Sequence, residues 1–125
     1  MTLTLKKLDE CFTIHRLPKL SEIPSQVFSA PIYFIANTDD EVSIVLPQDV
    51  VIESNKSEKN WQAFKVAGPL DFALTGVLSK IATVLAEKEI SIFAISTFDT
   101  DYILVKKDVC DAAINALKAN KYHIS

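Results

Sequence analysis

The second half of the chain changes between strand and helix spacing of its apolar residues. Trp61–Gly68 alternates in the manner of a β-strand and ends at a glycine. From Thr75 to Lys88 the apolar residues recur at helical spacing, with Thr75 suited to be the N-cap. Glu89–Phe98 is rich in β-branched and aromatic residues, which predicts a strand buried on both faces.

The pattern continues with a hairpin, a helix and a final strand. Tyr102–Val105 returns after an acidic turn, and Asp108 is predicted to cap a helix that runs to about Ala119. The closing KYHIS has the pattern of a short strand. The order β-α-β-β-α-β predicts an α+β fold of the ferredoxin-like kind, with antiparallel sheets.

The first half is less regular but resembles the second. Strands are predicted at Cys11–Leu17, Ile32–Asn37 and Glu41–Leu46, and the proline-rich stretch between the first two allows at most a short helical turn. The polar Asn55–Asn60 is the best candidate for a linker. Asp39–Val51 aligns with Asp99–Cys110 with one gap, which favours an internal repeat. We therefore expect two units. Residues 1–58 form the first, degraded copy of the repeat, and residues 59–125 form the second copy.

Composition narrows the function classes. The net charge of −3 and the single arginine, Arg16, argue against nucleic-acid binding, which usually needs a basic surface and arginine forks. The N-terminus lacks the pattern of a signal peptide, and no run approaches the ~20 apolar residues of a membrane span. These features predict a cytoplasmic protein that binds neither nucleic acid nor membrane.

The two glycines of the chain, Gly68 and Gly76, lie in one strand-to-helix loop. Free N–H groups at a helix start favour an anion such as a carboxylate. Asp71 in the same loop could accept a hydrogen bond from an ammonium group, so the loop suits the head group of an amino acid. The alternative is a tight turn in which glycine serves packing alone. The pattern is neither a dinucleotide fingerprint nor a Walker loop.

A second candidate is the acidic turn that carries Asp99 and Asp101. Paired carboxylates can act in acid–base catalysis or hold a hard cation, but aspartate and threonine are also common turn residues. No histidine, cysteine or lysine lies nearby in sequence to complete a mechanism. We expect no metal site, no cofactor and no catalytic residues.

The stretch GPLDFALTGVLSKIATVLAEKEISIFAISTFDTDYILV resembles the ACT domain, in the variety found in small tandem-ACT proteins related to amino-acid sensors and aspartate kinase regulatory regions. The resemblance covers about Trp61–Tyr122. It implies four antiparallel strands under two helices, and copies that pair side by side, hence a homodimer. It also implies that an amino acid or similar small ligand is held between two copies against the first strand-to-helix loop. That loop corresponds to Gly68, Pro69, Leu70, Asp71, Phe72, Ala73, Leu74, Thr75 and Gly76, and its facing wall to Ile95, Ser96 and Thr97, with Asp99 and Asp101 close by.

Three functions follow for comparison. The preferred one is a non-catalytic, amino-acid-binding regulatory protein that acts on an unidentified protein partner. The second is a ligand-free interaction module of the same fold. The third is a small enzyme using Asp71, Asp99 and Asp101, with or without Mg²⁺, which would require these carboxylates to converge in a pocket.

Overall fold

The structure is a computed structural model that describes residues 3–67 and 76–125. The chain forms two compact units: a C-terminal unit of Met1–Asp9 with Gln62–Ser125, and an N-terminal unit of Glu10–Trp61. Strands β1 (Thr4–Pro18) and β4 (Lys56–Val66) contribute residues to both units. Residues 1–9 thus lie with the C-terminal unit. The assignment of 1–58 and 59–125 to two ACT-like domains stays a prediction.

From β4 onward, the C-terminal unit has the predicted element order β-α-β-β-α-β. Its elements after β4 are α1 (Val77–Glu87), β5 (Phe93–Ser96), β6 (Asp101–Lys106), α2 (Cys110–Ala119) and β7 (His123–Ile124). The strands of its sheet are ordered β1-β4-β6-β5, with β7 beside β1. The β5–β6 pair is antiparallel, as expected.

The last strand departs from the antiparallel prediction, because β7 pairs with the beginning of β1 in parallel. The His123 amide donates to the Leu3 carbonyl at 3.0 Å, and the Ser125 amide donates to the Leu5 carbonyl at 3.0 Å. The prediction took β1 to begin at Cys11, whereas it begins at Thr4. It therefore left out the segment that lies between β4 and β7.

The two helices cover one face of this sheet. Their amphipathic spacing directs apolar side chains onto the strands, and the buried core contains residues from α1, α2 and three strands, β1, β4 and β6. Its members are Leu5, Phe64, Val66, Ile81, Leu85, Ile90, Ile103, Val105, Cys110, Ala113 and Leu117. Because Leu5 is among them, the N-terminal segment is part of this core.

The N-terminal unit is antiparallel and has little helix. It contains the later part of β1, with β2 (Phe34–Asn37) and β3 (Glu41–Pro47) paired in the order β2-β3-β1. A 3₁₀ helix at Ser25–Ser29 is the short helical turn that the prolines allowed. Its core consists of Leu17, Val27, Val42, Ile44, Leu46 and Ile52.

Two sequence predictions are wrong. The linker candidate Asn55–Asn60 is largely part of β4. Its side chains are exposed, but the Asn60 backbone amide donates to the Gln48 side-chain oxygen at 2.7 Å. The Gln48 side-chain amide donates to the Asn60 side-chain oxygen at 3.1 Å. Backbone pairing thus forms a strand where apolar alternation is absent. The strand predicted over Glu89–Phe98 shortens to Phe93–Ser96 and is half-exposed, because it lies at the end of the strand order.

Helix boundaries shift slightly. Asp108 lies in a 3₁₀ turn, Lys107–Val109, and the N-cap of α2 is Val109. Within residues 3–67 and 76–125, no helix is long and apolar enough to cross a membrane.

Candidate functional site

Helix α1 begins at a glycine in the left-handed region. Gly76 is its N-cap with φ 74° and ψ 13°, and the Lys80 amide donates to the Gly76 carbonyl at 2.9 Å. The N-cap is therefore Gly76, whereas the sequence pattern predicted Thr75. An L-residue with a side chain is strained at this φ, which explains the glycine.

The left-handed φ is sufficient reason for a glycine at position 76. A Cβ built on Gly76 would meet no atom of residues 3–67 and 76–125 within 4 Å. The amides of the first helical turn have no partner within a helix, and the helix dipole adds positive potential at this end. The beginning of α1 can therefore accept a carboxylate or another small anion.

The rest of the predicted loop lies outside the described residues. It comprises Gly68, Pro69, Leu70, Asp71, Phe72, Ala73, Leu74 and Thr75. Their part in ligand binding stays a prediction. The described residues on either side are Ala67, which is exposed, and Gly76.

The β5–β6 register divides the predicted facing wall. Ile95 pairs with Tyr102, and Ser96 pairs with Asp101. Since neighbouring strand residues point to opposite faces, Ile95 and Ser96 lie on different sides of the sheet. Ile103 belongs to the core with α1, so Ser96 and Asp101 share the helix side while Ile95 shares the other side with Tyr102. The Lys65 ammonium lies 6.0 Å from the centre of the Tyr102 ring on that side.

The tip of the hairpin closes on itself through Thr97. Its amide and its hydroxyl both donate to the Thr100 carbonyl, at 2.8 and 3.0 Å, and the Thr100 amide donates back to the Thr97 hydroxyl at 3.3 Å. Thr97 and Asp99 are exposed, and Asp101 is half-buried. The enzyme hypothesis stays a prediction, because Asp71 lies outside the described residues. Among the residues that the structure describes, no group of three or more His, Cys, Asp or Glu side chains is placed to hold a metal ion.

Sequence reasoning missed the role of Thr100. This residue is only 8% exposed, and its hydroxyl donates to the Val66 carbonyl at 2.6 Å. The bond joins the hairpin tip to the end of β4, immediately before the loop region. A threonine between two aspartates has the appearance of an ordinary turn residue, so the sequence contains no signal for this contact.

The histidine of the N-terminal unit, His15, is buried within a strand. His15 is 6% exposed on β1, and its Nδ1 lies 2.9 Å from the Ser54 hydroxyl oxygen. Its Nε2 is buried and has no hydrogen-bond partner within the described part of the chain. Burial lowers the pKa of His15 from its usual 6.5, because desolvation penalises the charged form. The two cysteines are free, with Cys110 buried and Cys11 half-buried.

Comparison with known proteins agrees with the helix-and-hairpin geometry. A family model for the ACT domain matches residues 56–119, just over half of the chain. The chain belongs to the ACT domain family. The match begins at β4 and ends with α2, so it includes the loop, the hairpin and both helices of the C-terminal unit.

A curated ACT relative carries a functional name. The human protein named "Cytosolic arginine sensor for mTORC1 subunit 1" is 31% identical over 121 residues, which cover 89% of this chain and 36% of that protein. The mouse protein of the same name gives the same values of 31%, 89% and 36%. This ACT chain therefore spans about a third of the length of these curated relatives.

Solved structures share the fold. Protein Atu0741 from Agobacterium tumefaciens superposes with a TM-score of 0.92 at 30% identity and covers 100% of this chain and 93% of that one. The ligand-free regulatory subunit of aspartate kinase from Thermus thermophilus has a TM-score of 0.66 at 10% identity, with 92% and 95% of the two chains covered. At that identity the second likeness shows the ACT-type fold alone.

Proposed function

We propose that this chain is a non-catalytic regulatory protein that binds a free amino acid against residues 68–76, the segment between β4 and α1. The observation that carries the proposal is the beginning of α1 at Gly76, with its left-handed φ and with no described atom within 4 Å of its side-chain position. This helix end has the polarity to receive the ligand carboxylate. Strand β4, which leads into this segment, ends at Val66, and the Val66 carbonyl accepts a hydrogen bond from the hairpin tip.

The ammonium group of the ligand requires an acceptor of opposite charge. Asp71 is the proposed acceptor within the segment, and Asp99 is a second carboxylate at the hairpin tip. Such charge-assisted hydrogen bonds are the stronger ones in proteins. Ser96 lies on the helix side of the sheet and is proposed to contribute a hydroxyl, whereas Ile95 lies on the other side and is not expected to contact the same ligand.

Arginine is the first ligand to test. The curated relatives are named arginine sensors. The turn bearing Asp99 and Asp101 adds carboxylates that suit a guanidinium group, which binds carboxylates through paired hydrogen bonds.

A thermal-shift screen of the whole chain against the twenty amino acids, each at millimolar concentration, tests the proposal. A ligand at 100 times its Kd stabilises the folded state by about 2.7 kcal/mol, which raises the Tm by several degrees. The matched pair of variants is Asp71→Ala and Asp39→Ala, the latter at the exposed turn between β2 and β3. We expect the shift to disappear in Asp71→Ala and to persist in Asp39→Ala.

A flat response to all twenty amino acids would overturn the binding function. The ligand-free interaction module would then be the better description of this ACT chain. Loss of the shift in both variants would instead indicate a general effect of charge rather than a role of the loop.

The family pattern also leads us to propose a homodimer in the cytoplasm, acting on a separate protein partner. A ligand held between two copies would favour the dimer, because binding and association are thermodynamically linked. Light scattering with and without the amino acid found in the screen measures this. If the measured mass at micromolar concentration is that of one chain both with and without the amino acid, the proposed homodimer is contradicted.

A further inference from the structure

One buried hydroxyl connects the hairpin tip to the strand that leads into the ligand segment. Thr100 is 8% exposed, although Phe98 beside it in the same tip is 82% exposed. A buried hydroxyl costs free energy unless it has a partner. Here the partner is the Val66 carbonyl at 2.6 Å, a short and therefore well-formed O–H···O hydrogen bond between residues 34 positions apart in sequence.

The acceptor, the Val66 carbonyl, lies at the end of the strand that leads into the ligand segment. Val66 is the last residue of β4. The next residue, Ala67, donates its amide to the Thr4 carbonyl at 2.8 Å. The end of β4 is thus held by β1 through Ala67 and by the hairpin through Thr100, immediately before residue 68.

Hydrogen bonds within the hairpin tip couple the position of its residues to that of Thr100. Three hydrogen bonds between Thr97 and Thr100, of 2.8, 3.0 and 3.3 Å, close the turn around residues 98 and 99. Any displacement of Thr100 relative to Val66 would therefore also displace Asp99. The Oγ1–carbonyl bond sets where that carboxylate lies relative to the end of β4.

We infer that Thr100 is a positioning residue for amino-acid binding. Its hydroxyl holds the carboxylate-bearing hairpin tip at a set distance from the strand end that enters residues 68–76. This inference rests on the proposed function. It deepens that function by assigning a residue that need not touch the ligand but fixes where the Asp99 carboxylate lies relative to the end of β4. A threonine suits the position because its branched Cβ restricts χ1 and its hydroxyl supplies the donor.

The test compares three variants of the full chain. Thr100→Val keeps the shape and removes the donor, and Thr100→Ser keeps the donor. Thr83→Val is the matched control, because Thr83 also donates its hydroxyl to a carbonyl, that of Ser79 at 2.9 Å, on the exposed side of α1. Affinity for L-arginine, or for the amino acid that the screen identifies, is measured by titration calorimetry.

We expect Thr100→Val to weaken binding about tenfold, the factor that corresponds to loss of one typical hydrogen bond. Thr100→Ser should stay within about threefold of wild type, and Thr83→Val should equal wild type. A purely structural role predicts a lower Tm with unchanged affinity. Wild-type affinity in a folded Thr100→Val protein would overturn this inference and leave the proposed function standing.

Amide hydrogen exchange without ligand provides a second measurement. Faster exchange at Ala67 and at residues 97–101 in Thr100→Val, and not in Thr83→Val, is the expected result. Unchanged exchange would overturn the inference even where affinity falls. If the wild-type protein binds no amino acid, both the proposed function and the ligand-positioning role of Thr100 are overturned. Amide hydrogen exchange in that case still measures whether Thr100 holds the hairpin tip to β4.

If circular dichroism shows that Thr100→Val does not fold, Thr97→Val is tested instead. That variant loosens the tip but keeps the Thr100–Val66 bond. It should weaken binding by a smaller factor, with faster exchange at residues 98–100 and unchanged exchange at Ala67. Wild-type affinity and exchange in Thr97→Val would overturn the inference.

Discussion

The two compact units cover their sheets in different ways. In the C-terminal unit, two α-helices contribute Ile81, Leu85, Ala113 and Leu117 to the buried core. In the N-terminal unit, the helical cover is a 3₁₀ helix of five residues with one buried side chain, Val27. Residues 10–61 are all described and contain no α-helix.

The difference is visible in what remains exposed. Six large hydrophobic side chains are exposed among the described residues, and five of them belong to the N-terminal unit: Leu20, Phe28, Tyr33, Ile35 and Val51. The sixth is Phe98 at the hairpin tip. A full amphipathic helix buries a broad apolar stripe, whereas a single 3₁₀ turn cannot. The amount of helix thus decides how much apolar surface a unit of this size removes from water.

The same difference locates the candidate site. Free amides occur at the start of every α-helix, and among the described residues both α-helix starts, at Gly76 and at Val109, belong to the C-terminal unit. Gly76 is the one that follows the loop after β4. The N-terminal unit keeps the sheet and lacks this element. We therefore expect one ligand segment per chain, in the C-terminal unit.

The largest expected effect comes from breaking the helix-covered core. Phe64 is fully buried in it. Phe64→Ala should lower the free energy of unfolding by about 3–5 kcal/mol, because it removes apolar contact and leaves a cavity. Urea denaturation measures this. Phe98→Ala, at a side chain 82% exposed, is the control and should change stability by no more than about 0.5 kcal/mol. Equal effects of the two variants would contradict the described core.

A smaller effect is expected from the core under the 3₁₀ helix. Val27→Ala should cost about 2 kcal/mol, since Val27 is fully buried and is the one buried residue of that helix. Val51→Ala is the matched control, because Val51 is 78% exposed. The same denaturation experiment compares them. A Val27→Ala cost as large as that of Phe64→Ala would remove the contrast between the units.

The glycine at the helix start should matter less for stability. Gly76→Ala places a side chain at φ 74° and should cost about 1 kcal/mol through backbone strain, because no described atom lies within 4 Å of the added Cβ. Gly76→Asn should cost less, since asparagine tolerates this region. Thermal unfolding measures both. A more stable Gly76→Ala protein would show that the helix start has a different conformation.

The smallest expected effect is a pH dependence from the N-terminal unit. The pKa of His15 is lowered in the folded state by burial, so below pH 6.5 the unfolded state binds more protons. Stability should therefore fall as the pH decreases from 6.5 towards the lowered pKa. His15→Gln should reduce this slope, and His123→Gln, at an exposed position, should keep it. Denaturation at several pH values between about 5 and 7 measures this slope. An unchanged slope in His15→Gln would contradict the assignment of the pH dependence to His15.

Sequence patterns located the helices well. The helix predicted over Thr75–Lys88 is observed as Val77–Glu87, and the one predicted to end near Ala119 ends there. Helical spacing of apolar residues is a local signal that survives folding because each helix buries one face. Strands were located less well. Asn55–Asn60 appeared to be a linker, and β1 was predicted to start at Cys11 rather than Thr4.

The candidate site was predictable only in part. The family pattern pointed to the loop and to the hairpin, but the left-handed N-cap at Gly76, the opposite orientation of Ile95 and Ser96, and the buried bond of Thr100 required coordinates. Each depends on register or on a backbone angle. A shift of one residue reverses the face to which a strand side chain points.

By itself, the sequence determined the family, the order of elements in the C-terminal unit and the positions of both helices, because these follow from local periodicity and a contiguous motif. The tertiary structure alone decided that residues 4–9 complete the C-terminal sheet beside β7, that a polar stretch becomes a strand, and that Thr100 joins the hairpin to Val66. The physical reason is common to all three. All three depend on hydrogen bonds between residues far apart in the chain. Almost every residue type carries the backbone donor and acceptor, and a threonine in a turn is common, so neither kind of bond leaves a mark in the sequence.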